Sequence, residues 1–112
     1  MKIRTSALDG ETLVIEIEEG DDNELVRLLD GPRPNGFAVF GPEVPAPIAV
    51  IDGRILNTGL TADHLLAVEA HELGHIHENT IEEPVAEQFA VDLLGELGLV
   101  EARQILLERG IV

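Results

Sequence analysis

Ala70-His71-Glu72-Leu73-Gly74-His75 sets two imidazoles four residues apart, with a carboxylate directly after the first. On a helix, positions i and i+4 lie one above the other, so His71 and His75 share a face and can grip one ion. Glu72 projects about 100° round the same helix, near enough to reach a water held there. The flanks supply the helical frame. Thr61 is a good N-cap, Asp63 suits the first turn, and Leu65, Leu66, Leu73 and Ile76 provide an apolar side. One helix over 62–78 is expected, closing at Asn79-Thr80.

Downstream, Pro84 suits the first position of a second helix. Ala86, Phe89, Ala90, Leu93 and Leu97 then follow a helical stripe, which Gly98 stops. A last helix over roughly 100–109 presents Ala102, Ile105 and Leu106, with Gly110 at its end.

Upstream, the period changes from helical to alternating. Ile3, Thr5 and Ala7 alternate with polar residues, as do Leu13, Ile15 and Ile17, and Asp9-Gly10 separates the two runs. That pattern reads as an antiparallel pair over 2–8 and 11–18. Asp21, Asp22 and Asn23 can cap a short helix bearing Leu25, Leu28 and Leu29, which Gly31-Pro32 terminates. Gly36 to Phe40 reads as a third strand, with Phe37 and Phe40 as core anchors or, as the alternative, a rim that receives a substrate side chain. Pro47 to Ile51, Asp52-Gly53 and Arg54 to Asn57 read as a second hairpin, whose second arm leads into the motif helix. A strand beside the metal would offer an extended peptide a sheet edge to pair with.

A chain of 112 residues is expected to form a single domain, 1–112, and its 45% hydrophobic content suffices for one modest core. The 22 acidic residues against 7 basic ones give a net charge of −15. Such a surface repels nucleic acid and anionic lipid, so neither is an expected partner. No cysteine is present, which removes disulfides, thiolate zinc sites and a cysteine nucleophile. The first residues lack the apolar run of a signal peptide, so a cytoplasmic location is expected.

A hydrolytic zinc centre needs three protein ligands and an open position. His71 and His75 supply two. A tight loop and an antiparallel return bring the start of the second helix back beside His75, and Glu83 stands there. Glu82 and Glu87 remain alternatives, and Glu78, on the motif helix itself, is a weaker one.

Glu83-Pro84-Val85-Ala86-Glu87-Gln88-Phe89-Ala90 resembles the glutamate helix of the gluzincins, the thermolysin-like zincins. In that pattern a ligand Glu is followed by a small residue, an acidic residue, an aromatic and a small residue, here Ala86, Glu87, Phe89 and Ala90. With the His71–His75 motif, the stretch over 54–97 is also similar to the phage-repressor-cleaving peptidases of the ImmA/IrrE type, and the small size resembles minigluzincins. The loop after His75 is shorter than in most such proteins. The resemblance implies an α+β, zincin-like domain. A short mixed or antiparallel sheet of three to five strands would pack on an active-site helix and a following glutamate helix.

It further implies a Zn2+-dependent endopeptidase acting on a polypeptide substrate, with His71, His75 and Glu83 as metal ligands. Glu72 would be the catalytic base, taking the proton of the attacking water and passing it to the leaving amine. Glu87 would accept a hydrogen bond from His71 behind the metal. Zincins usually add a donor for the oxyanion, often Tyr, His or Arg. This chain has no tyrosine. His64, seven residues before His71 on nearly the same face, is the candidate, with Arg54 and Arg103 behind it. His77 reads as an exposed residue at the helix end. Two other readings stand beside the peptidase: a non-catalytic regulatory module that keeps the metal site for stability or recognition, and a latent enzyme with its tail, Glu108 to Val112, over the cleft.

Overall fold

The computed structural model describes residues 1–109. Four strands, β1 (Lys2–Thr5), β2 (Leu13–Ile17), β3 (Gly36–Val39) and β4 (Ile48–Asp52), form one mixed sheet in the order β1-β2-β4-β3. β1 and β2 are antiparallel, β2 and β4 run parallel, and β3 returns antiparallel to β4 as an edge strand. Helices α1 (Glu24–Asp30), α2 (Ala62–His77), α3 (Glu83–Glu96) and α4 (Val100–Arg109) complete an α+β fold. The Cα radius of gyration, 12.9 Å, is that of one compact unit of this length.

The apolar pattern explains the layering. In β4 both faces are apolar, because both are covered. Val14, Ala49 and Ile51 point to the face on which α2 lies, in a core shared with Leu73, Ala90, Leu94 and Leu106 from the three later helices. Ile17, Val50 and Phe37 point to the other face and meet Val26 and Leu29 of α1. Asn23 caps α1, its side-chain oxygen accepting from the amides of Leu25 and Val26. No helix among the described residues is long and apolar enough to cross a membrane.

The expected second hairpin does not form. Gly53–Thr58 is a 3₁₀ helix, not a strand. β4 already pairs on both edges, with β2 and β3, so no edge is left for a hairpin partner. Asp52 instead accepts from the amide and the Nε of Arg54, turning the chain, and Ile55 enters the core. The first pair forms as expected but is shorter. Its connection is wider than a two-residue turn, because the carboxylate of Asp9 gathers the amides of Glu11 and Thr12 and the Thr12 hydroxyl.

α2 is not the one-sided helix its leucines suggest. From Leu65 to His75 every residue except Leu66 is buried, because the sheet, α3 and α4 all pack on it. The polar residues on it are therefore held by partners. Glu69 is 1% exposed and binds Arg4 at 2.6 Å and the Ser6 hydroxyl at 2.6 Å, tying the helix to β1. The expected stop at Gly110 and residues 110–112 of the expected tail lie outside the described residues, and Glu108 and Arg109 belong to α4.

Candidate metal centre

α2 ends in a way that shapes the site. Asn79 takes a left-handed conformation, φ 47°, and the amides of Asn79 and Thr80 bond back to the carbonyls of Ile76 and His75. That is the Schellman arrangement, in which asparagine substitutes for the usual glycine. It turns the Thr80 carbonyl toward the helix, where it accepts from Nδ1 of His75 at 2.7 Å. A carbonyl can only accept, so the proton sits on Nδ1 and the Nε2 lone pair faces the cleft.

α3 then returns across α2 at very short range. A Cβ built on Gly74 would lie 2.2 Å from the Ala86 carbonyl oxygen, so only glycine permits this crossing. The approach is made by a helix. It brings Glu83, the first residue of α3, over the two histidines. Oε2 of Glu83 lies 2.7 Å from Nε2 of His71, and Oε1 lies 3.3 Å from Nε2 of His75. The two Nε2 atoms are 3.2 Å apart.

These distances fit a metal. Donors about 2.05 Å from a tetrahedral centre stand about 3.3 Å from one another. Two of the three separations match that edge, and the third, made by the other carboxylate oxygen, is about 0.6 Å shorter, the length of a hydrogen bond. The donor set, two imidazoles and a carboxylate, suits Zn2+ with a position left open. Burial, against the pull of Glu83, holds His71 below the usual histidine range and so in the neutral, ligating form.

Glu72 lies beside them. Its ligand atom falls within 4.8 Å of those of His71 and His75, and it is 5% exposed. Burial, and then the charge of Glu83, push its carboxyl up to about 8; Arg33 acts in the opposite direction. A carboxyl poised near neutrality is the kind a general base requires. β3 passes close over it. A Cβ on Gly36 would fall 2.8 Å from Val68 Cγ1 and 3.4 Å from Glu72 Oε2.

The cleft above these groups has a volume of about 180 Å³. Its walls are the Pro32–Pro34 loop, residues of β3, Phe40, Ile81 and Glu83. Phe40 is not the core anchor expected. Its ring stacks on His75, with centroids 6.3 Å apart and 17° between planes. Phe37 fills the expected role, 8% exposed, and the residue also lines the cleft.

The structure therefore brings together His71, Glu72, His75 and Glu83. Glu87 stands where expected, beside Nδ1 of His71, but at 3.7 Å it is beyond hydrogen-bond length. That Nδ1 is buried without a hydrogen-bond partner. His64 does not line the cleft. It is buried near α4, where burial and then the charge of Arg109 hold it below the usual histidine range. Seven residues amount to nearly two turns, about 10 Å of rise, which carries His64 away from the metal donors. Arg54 is occupied by Asp52 and Asp30, and Arg103 lies against Gly95. His77 is exposed as expected, yet it bonds Asp9 at 2.8 Å and stacks on Phe89. Arg33, which the sequence pattern did not single out, is the cationic side chain in the cleft wall.

Comparison of the chain with protein-family models, curated proteins and solved structures finds no match.

Proposed function

We propose that the chain is a minimal zinc-dependent endopeptidase of the gluzincin kind. One observation carries the reading. Nε2 of His71, Nε2 of His75 and the carboxylate of Glu83 converge at 2.7–3.3 Å from two different helices, with the buried Glu72 alongside. A purely structural metal site has no use for that neighbouring carboxylate.

A divalent ion at the three donors supplies Lewis-acid activation of water and of the scissile carbonyl. The rest is the work of the chain. Glu72, ionised when cationic charge in the site offsets Glu83, accepts the proton of the attacking water. Its low exposure lets it hold that proton and deliver it to the amine as the bond breaks. Thr80 keeps His75 in the tautomer that leaves Nε2 free. β3 is an edge strand, so an extended peptide can pair with it and lie across the cleft. Phe37 and Phe40 keep one side of the cleft apolar.

Casein digestion by the zinc-loaded protein and by its Glu72→Gln variant is the test. Cleavage that disappears in the variant while zinc is retained supports the mechanism. Cleavage unchanged in the variant removes Glu72 from the mechanism, and cleavage absent in both favours a non-catalytic module.

A further inference from the structure

The cleft has one feature that the hydrolytic chemistry leaves unused. Arg33 stands in its wall between Pro32 and Pro34, and it is exposed, whereas Glu72 and His71 lie buried at the floor. Lys2, Arg4, Arg27 and Arg54 are ion-paired, and of the arginines without an ion pair among the described residues, Arg33, Arg103 and Arg109, only Arg33 lines this cleft. The guanidinium of Arg33 enters no hydrogen bond or ion pair with any described residue, although its charge is felt by Glu72. In a chain of net charge −15, an unpaired arginine at the mouth of a cleft is a place kept for an anion.

Its backbone is fixed in advance. The amide of Arg33 donates to the Leu28 carbonyl at 2.9 Å, at the end of α1. Pro34 disfavours the helical region for Arg33, and Pro32 fixes its own φ. The side chain therefore projects from a braced loop, which limits the ordering cost of binding. Its planar fork matches a carboxylate with two parallel hydrogen bonds. The cleft, about 180 Å³, is smaller than the roughly 300–1,000 Å³ of a drug-sized ligand site. A group held by Arg33 is consequently close to the bond over Glu72.

We propose that Arg33 is the specificity-determining residue of the cleft and binds a substrate carboxylate on a residue near the scissile bond, either a free C-terminus or an Asp or Glu side chain. The inference rests on the peptidase reading for its scissile bond. An oxyanion role fits the position less well, because that charge develops at the buried floor while Arg33 is exposed at the mouth.

Three short acetylated alanine peptides distinguish the cases: the free acid, the amide, and the amide with one aspartate. Each is tested for cleavage by zinc-loaded wild type and Arg33→Ala, and for binding by calorimetry on zinc-loaded Glu72→Gln with and without Arg33→Ala. Loss of Arg33 is expected to weaken KM and Kd for a carboxylate peptide roughly 10- to 100-fold, the range of a charge-assisted bond, and to leave the neutral amide within about twofold. Whichever carboxylate peptide shows the loss identifies the source. An equal fall in kcat for all three peptides, or no loss with any, overturns the proposal. Arg33-dependent binding without cleavage upholds the carboxylate site and sinks the peptidase; cleavage without Arg33-dependent preference does the reverse.

Discussion

Glu83 Oε2 and His71 Nε2 stand 2.7 Å apart across two helices, although twelve residues separate them along the chain. The short Schellman turn at Asn79-Thr80 and the close crossing at Gly74 make that meeting possible. The candidate donors therefore depend on backbone features as much as on their own side chains.

Gly74→Ala puts a methyl group 2.2 Å from the Ala86 carbonyl oxygen, and α3 must shift to admit it. Overpacking of this kind costs about 1–3 kcal/mol. Zinc affinity is expected to fall further than stability, because Glu83 rides on the displaced helix. Urea unfolding and zinc titration of the same variant check this. Equal losses in a folded variant would detach the site from the crossing.

Asn79 is expected to tolerate glycine and to resist alanine. Glycine adopts φ 47° freely, and alanine is strained there by about 1 kcal/mol. Asn79→Ala should lower the midpoint of thermal unfolding and weaken zinc binding through the Thr80–His75 bond, and Asn79→Gly should do neither. An unchanged zinc affinity in Asn79→Ala would show that the cap does not orient His75.

Glu72 gives the metal-free protein a pH dependence. Its carboxyl is raised from 4.5 to about 8 in the folded state, so the neutral form is favoured there. The stability this contributes is fully present below pH 4.5 and is lost as pH rises through about 8. Glu72→Gln is expected to remove that decline and to be the more stable metal-free protein at pH 8, by a few kcal/mol. Thermal melts of both proteins between pH 5 and 8 check this; parallel curves would contradict it.

Much of the fold and half of the cleft can be read in the sequence, for a common reason. Asn23, Thr61, Pro84 and Gly98 act locally, through caps or fixed backbone angles, so the ends of α1, α2 and α3 fall close to where those residues place them. Glu83 follows from two helices and a tight turn. The misreadings belong to tertiary pairing. Residues 53–58 carry a hairpin signal, but β4 has no free edge to receive the second arm. Phe40 and Arg33 reach the cleft because β3 lies over α2, and nothing in their local pattern announces it. The shared face of His64 and His71 is real along the helix, but it ignores the rise between them.

Zinc titration of the purified chain and of three single variants, Glu82→Ala, Glu83→Ala and Glu87→Ala, bears most directly on the three-donor site. One equivalent is expected to bind wild type and Glu82→Ala alike. Glu87→Ala should lose less, because Glu87 stands 3.7 Å from Nδ1 of His71, beyond hydrogen-bond length. Glu83→Ala should lose the most. Full-affinity binding by Glu83→Ala, or loss on Glu82→Ala instead, would contradict the site described.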